Sequence, residues 1–235
     1  MRYLKTDRKR MSEERGLLTG SDYKAFVRET EFNSTGTCVL AKDWQSGRAV
    51  HLMSQGELYF WNLLKFDPDV VEVREQVVLD LDLTLQLAKE YGIKHPYSKM
   101  HHMTTDFFVL YKDERAVAYS IKDNKKRIKD KRTAEILFLE KKYWERKNVL
   151  YEIRFKEDMD VIKAENIRIC SYYWDPKTVV DEVSCLKHMI IHHEIELDQL
   201  DLCKEILKCG LLVNEYKSEI QRKLRLLEGE RIYAK

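Results

Sequence analysis

Two β-rich runs joined by a four-residue polar turn constrain this 235-residue chain more than any other feature. The runs are Thr105-Asp-Phe-Phe-Val-Leu-Tyr and Ala116-Val-Ala-Tyr-Ser-Ile-Lys, and Lys112-Asp-Glu-Arg lies between them. Aromatic and β-branched residues on both sides of a polar turn predict a hairpin. A turn centred on Asp113 and Glu114 sets Asp106 opposite Ile121 or Lys122. Side chains alternate along a strand, so Ser120 and Lys122 share a face. The register then decides whether Asp106 shares it too.

The surroundings predict a mixed α/β core. Thr37-Cys-Val-Leu-Ala and Arg48-Ala-Val-His-Leu read as short strands about a turn at Gln45-Ser-Gly. Residues 54–66 have helical spacing, with Leu58, Trp61 and Leu64 beside Phe60 and Leu63, and Pro68 ends the pattern. Residues 70–83 alternate well enough for one strand or two. A helix is predicted over 133–147, with Ile136, Leu139 and Tyr143 on one face, and a strand over 149–155. Residues 1–20 are polar and basic-leaning and read as a mobile arm. Beyond Trp174-Asp-Pro, helical patterns at 179–195, 197–211 and 214–227 precede a strand-like Arg231-Ile-Tyr-Ala. That order outlines a winged-helix module, and a plain three-helix appendage fits it almost as well.

Composition removes several classes. The chain holds 8 Gly, and no two are separated by a single residue, so the G-x-G-x-x-G dinucleotide fingerprint is absent. No pair has Walker A spacing either, which excludes nucleotide enzymes that cradle phosphate in those two loops. The longest run without Asp, Glu, Lys or Arg is 32–41, half of the ~20 residues a membrane helix needs. Met1-Arg-Tyr-Leu-Lys-Thr-Asp has no apolar stretch of a signal peptide. Five cysteines with no C-x-x-C pair fit free thiols in a reducing cytoplasm better than a disulfide frame or a zinc site.

A few residues could carry chemistry. Asp106 beside Lys122 on a strand pair, with another acid on a nearby helix, suits metal-assisted phosphodiester cleavage. Hard oxygen ligands hold Mg²⁺, and a lysine orients water or offsets developing charge. A cross-strand surface ion pair explains the same two residues. Glu57 sits in Ser54-Gln-Gly-Glu, the form of a helix capping box, so it is a cap or a ligand. Residues 122–132 carry seven basic and two acidic side chains, a net +5 inside a chain whose total is +2. Lys125, Lys126, Arg127 and Lys129 in that run form a solvated face or a grip on a DNA backbone. The adjacent pairs His101-His102 and His192-His193 lack the spacing of a helical zinc pair and read as surface or packing residues.

Together these residues resemble a nuclease of the PD-(D/E)xK, restriction-endonuclease-like superfamily. More narrowly, they are similar to the TnsA-like endonuclease subunits of heteromeric transposases. The resemblance rests on Ser46-Gly-Arg48 before His51-Leu, on Glu57, and on Val73-Arg-Glu-Gln76. Gly92-Ile-Lys-His-Pro96, Thr105-Asp106-Phe107, Ile121-Lys122 and Glu140-Lys-Lys-Tyr-Trp144 complete it, in the family's order from about residue 21 to 170. It implies a mixed-sheet endonuclease domain over 21–170, a linker at 171–178 and a winged-helix-like helical domain over 179–235.

The resemblance also implies that Glu57 and Asp106, with the Ile121 carbonyl, hold Mg²⁺, which Mn²⁺ could replace. Lys122 completes the site, and Glu140 and Ser120 support it. The implied reaction is hydrolysis at the 5′ ends of transposon-end DNA. The implied partners are a TnsB-like DDE transposase, which handles the 3′ ends, and a TnsC-like AAA+ regulator. Two departures stand out: Ser120 where the family has Gln, and a chain that runs only briefly past the first wing strand. The rival readings are a free-standing restriction- or repair-type nuclease, and a nuclease-fold docking subunit whose site has decayed at Ser120.

Overall fold

The computed structural model describes residues 2–172, apart from 32–37, 44–45, 68 and 98–100. The chain divides into two compact units, Met1–Met159 and Asp160–Lys235. The expected linker at 171–178 lies mostly outside the described residues. Of the second unit, helix Val161–Tyr172 is described. The expected helices between 179 and 227, the winged-helix-like arrangement and His192-His193 lie outside the described residues.

The first unit opens with α1 (Arg2–Ser12), which corrects the reading of 1–20 as a mobile arm. Asp7 is buried, and its carboxylate takes the His102 amide at 3.1 Å, both His101 and His102 rings at 3.3 Å and Arg10 at 2.9 Å. Arg10 and Arg15 also pair with Glu31. Charge composition predicted mobility, but long-range partners hold the segment down. The histidine pair at 101–102 packs, as expected, against α1.

Strands β1 (Val39–Lys42) and β2 (Ala49–Leu52) form an antiparallel two-stranded sheet. Helix α2 (Gln55–Lys65) follows, capped by Ser54, whose hydroxyl accepts the Glu57 amide at 3.1 Å. Strand β3 (Val70–Val78) is next. Residues 81–90, partly read as strand, are instead helix α3 (Leu81–Glu90), which starts where the Asp80 carboxylate accepts the Leu83 amide. The hairpin is β4 (Thr104–Tyr111) and β5 (Ala116–Lys122), then come α4 (Lys131–Arg146) and β6 (Leu150–Phe155). The main sheet has the order β3-β4-β5-β6. Its first three strands are antiparallel, and β6 lies parallel to β5 after the α4 crossover.

Alternation along β4 and β5 divides the core into two layers. Phe107, Val109, Val117, Tyr119 and Ile121 face α2 and the small sheet, where Val50, Leu52, Leu58, Phe60 and Trp61 cover them. Ala118 and Phe108 face the other way, toward Leu87 of α3 and Leu139, Tyr143 and Trp144 of α4. Central strand β5 is therefore buried on both sides, and a polar group on it must find a partner inside the protein.

A buried ion pair ties the small sheet to the large one. Arg48 donates to both carboxylate oxygens of Glu75, at 2.8 and 2.7 Å, and to the Val73 carbonyl at 2.7 Å. Glu75 is 0% exposed and also accepts the His51 amide at 3.2 Å. Its carboxyl is still pushed above the ordinary value by burial, with Arg48 pulling it back.

Candidate functional site

The site lies where the sheet comes apart. The β4–β5 ladder ends at Phe107 opposite Tyr119, while β4 runs back to Thr104 against β3 and β5 runs on to Lys122 against β6. The register is one residue off the sequence expectation, because Phe107 pairs with Tyr119 and Phe108 with Ala118. Continued by one step, it sets Asp106 level with Ser120. The turn residue Glu114 has φ +63°, and the Glu114 amide donates to Tyr111 while Tyr111 pairs with Arg115. This is a three-residue hairpin loop closed by a left-handed residue. Glu lacks the ordinary Gly or Asn signature of that position, so the extra loop residue was hidden in the sequence.

Even-numbered positions on the two strands share the α4 face, so Asp106, Ser120 and Lys122 stand together. Where the ladder stops, the Asp106 carboxylate takes over and accepts the Ile121 amide at 2.7 Å. Lys122 Nζ donates to the Ile121 carbonyl at 2.8 Å and lies 3.5 Å from Asp106 Oδ2. Asp106 and Lys122 are each about one-quarter to one-fifth exposed, 21% and 25%, so the site opens to solvent.

Glu57 arrives from the opposite layer. The N-terminus of α2 is pressed against β5 so tightly that a Cβ on Gly56 would stand 3.1 Å from Ile121 Cγ2. The Glu57 carboxylate is buried and accepts the Met53 amide at 2.9 Å, the Ser54 hydroxyl at 3.0 Å and the Gln76 amide at 3.2 Å. The capping box is thus displaced by one residue, because Glu57 reaches the Met53 amide rather than that of Ser54. Cap and candidate ligand are the same residue.

The charges act on one another. Burial pushes the Glu57 carboxyl up to about 8, and the neighbouring Asp106 charge adds to the rise. Burial likewise pushes Glu140 up to about 7, with Lys122 pulling it back and Asp106 adding. For Lys122, burial works against the charge, but Asp106, Glu140 and Glu57 outweigh it and hold its pKa above the ordinary value. Lys122 is therefore an ammonium at neutral pH, a donor and counter-charge rather than a base.

Glu140 and Ser120 form a second layer behind these groups. Glu140, buried on α4, accepts the Ser120 hydroxyl in a short hydrogen bond and the Tyr151 hydroxyl at 2.9 Å. The Ser120 hydroxyl is thus turned toward Glu140. Two of the polar residues here, Gln76 and Tyr151, were not singled out for chemistry by the sequence. Tyr151 lies on alternating β6 and looks like packing, and Gln76 looks like an outward strand position beside Glu72 and Arg74.

The donor set suits a hard divalent cation. Among the described residues, no three His, Cys, Asp or Glu side chains come together as a metal site. The candidate set is instead two carboxylates, Glu57 and Asp106, with the main-chain carbonyl of Ile121. The Lys122 ammonium bridges two of these oxygens, Ile121 O and Asp106 Oδ2. All of these donors are oxygen, the preference of Mg²⁺ and Mn²⁺.

The basic run follows directly. Lys125–Lys129 is an exposed 3-10 turn after β5. Lys125 is held by Asp158 at 2.8 Å, and its amide by Glu157. The Lys126 amide donates to the Asn124 side chain and the Arg127 amide to the Asn124 carbonyl, while the side chains of Lys126, Arg127 and Lys129 make no hydrogen bond or ion pair among the described residues.

A mixed four-stranded sheet flanked by helices, with an acid–lysine cluster where two strands part, fits a restriction-endonuclease-like core. Residues 67–156 match the family described as TnsA-like endonuclease N terminal. The chain is also 30% identical over 207 residues to the transposon Tn7 transposition protein TnsA of Escherichia coli, covering 84% of this chain and 74% of that protein. The chain belongs to the TnsA-like endonuclease family. Among the described residues, no helix is long and apolar enough to cross a membrane.

Proposed function

We propose that the chain is the metal-dependent DNA endonuclease subunit of a heteromeric transposase and hydrolyses phosphodiester bonds at the 5′ ends of the element. The observation that carries this reading is the convergence of Glu57, Asp106, the Ile121 carbonyl and Lys122 at one end of the sheet, in a TnsA-like chain. Glu57, Asp106 and Ile121 O would hold Mg²⁺, with Mn²⁺ as a substitute. The bound ion would supply a water of lowered pKa and positive charge beside the scissile phosphate. Lys122 keeps its proton and donates to a phosphate oxygen, so negative charge that develops there is met without rearrangement. Glu140 and Ser120 hold the strand segment under Lys122. Lys126, Arg127 and Lys129 grip the DNA backbone beside the cut.

The partners in this reading are transposon-end DNA, a DDE-type transposase of the TnsB kind and an AAA+ regulator of the TnsC kind. The test is cleavage of transposon-end DNA by the chain together with that transposase. Cutting at 5′ ends in Mg²⁺ that stops in EDTA is expected. Cutting that persists in EDTA would overturn the metal assignment, and robust specific cutting by the isolated chain would favour a free-standing nuclease.

One observation favours a second reading, a docking subunit with an impaired site. Ser120 stands where the family has Gln, and its hydroxyl is committed to Glu140. Calorimetry that finds no Mg²⁺ or Mn²⁺ binding, alongside intact binding of the transposase, would support it.

A further inference from the structure

We infer that Gln76 is a positioning residue that sets the separation of Glu57 from Asp106, and with it divalent-cation binding. This rests on the metal reading above.

Three observations carry it. First, Gln76 lies in β3 at the level of Asp106. Glu75 pairs with Phe107 and Val77 with Thr105, but Gln76 itself has no ladder partner. Second, its φ is +50°, a conformation that an L-residue other than Gly, Asn or Asp seldom takes within a strand. The Gln76 carbonyl accepts the Phe26 amide at 3.2 Å, which holds the backbone in that shape. Third, the buried side chain spans the two halves of the site. Gln76 Nε2 donates to Glu57 Oε2 at 3.2 Å, and Oε1 accepts the Thr104 hydroxyl at 3.3 Å.

The amide stands with Nε2 on the Glu57 carboxyl and Oε1 on the Thr104 hydroxyl, the orientation that Glu57 needs once it is ionised as a metal ligand and can only accept. Thr104 is two residues before Asp106 on the same strand. Gln76 therefore connects α2, which carries Glu57, to β4, which carries Asp106, across a gap that the sheet ladder leaves open. A strained backbone retained in the middle of a strand fits a functional demand better than a packing one. Partners behind metal ligands commonly change metal affinity about 10–100-fold when lost.

Two substitutions separate the side chain from the backbone. Gln76→Gly removes the amide and also relieves the positive φ. Gln76→Met keeps the volume and the strain but loses both hydrogen bonds. Mn²⁺ binding to the full chain is read by the electron paramagnetic resonance of free Mn²⁺, with thermal midpoints measured in parallel. Both variants are expected to bind Mn²⁺ ~10-fold or more weakly, while Gln76→Gly melts within a few degrees of wild type. Thr104→Val, which touches neither carboxylate, is expected to weaken binding in the same direction by a smaller factor, and Thr104→Ser to restore it. Wild-type affinity in the Gln76 variants, or in Thr104→Val should they fail to fold, overturns the inference. A wild-type chain that binds no Mn²⁺ overturns the metal reading itself, and this inference with it.

Discussion

Replacing Glu57 by Gln should stabilise the metal-free chain, and increasingly so as pH rises. The carboxyl is 5% exposed and lies beside the Asp106 charge, which together push its pKa up to about 8 from an unfolded value of 4.5. Between those two values the unfolded chain has released a proton that the folded chain still holds, so stability falls as pH rises through the window. At 1.36 kcal/mol per pKa unit, the cost is about 3 kcal/mol at pH 7 and below about 1 kcal/mol at pH 5. Gln has no such dependence. Its carbonyl can accept the Met53 and Gln76 amides, and its nitrogen can face the Ser54 hydroxyl, so the shape of the site survives. The advantage of Glu57→Gln over wild type should therefore grow by ~2 kcal/mol between pH 5 and pH 7. For a chain of this size that is about 4–8 °C in the thermal midpoint. Circular-dichroism melts of both full-length proteins in EDTA at pH 5, 6 and 7 read it directly. A difference that stays constant over this range would mean that Glu57 is ionised throughout, and would refute the account of its burial.

Three other outcomes are expected. Calorimetry of Mn²⁺ binding should show affinity climbing from pH 6 to pH 8 with net proton release, because Glu57 must lose its proton to act as a ligand. Arg48→Ala leaves the fully buried Glu75 without its bidentate partner, and denaturant unfolding should record a loss of about 3–5 kcal/mol. Replacing Lys126, Arg127 and Lys129 together by Ala should lower non-specific DNA affinity and flatten the log–log salt slope by ~3, about one per lost phosphate contact. An unchanged slope in filter-binding assays would remove them from the DNA interface.

How much of this was legible in the sequence depended on whether the cause was local. The hairpin, the α2 cap at Ser54 and the strands about Gly47 follow from neighbouring residues, and each is where its pattern indicates. Helix α3 does not, because Leu81, Leu83, Leu85 and Leu87 alternate as a strand would. The cap from Asp80 and the burial of Thr84, Leu87 and Ala88 decide for helix. Helix α1 read as mobile because Asp7 meets its histidines some 95 positions further on. In the site, Glu57, Asp106 and Lys122 are candidates through the family resemblance, since their own patterns also fit a cap and a surface ion pair. Their geometry could not be read, since it depends on Glu114 and Gln76 adopting left-handed conformations that neither residue type advertises.

If the Asp106–Lys122–Glu57 cluster cuts DNA, Asp106→Ala should disable it. The substitution removes the carboxylate that accepts the Ile121 amide and faces Lys122. In a cleavage assay on transposon-end DNA with Mg²⁺ and the partner transposase, loss of 5′-end cutting is expected, with 3′-end cutting by the partner retained. Undiminished 5′ cutting by the Asp106→Ala chain would contradict the account.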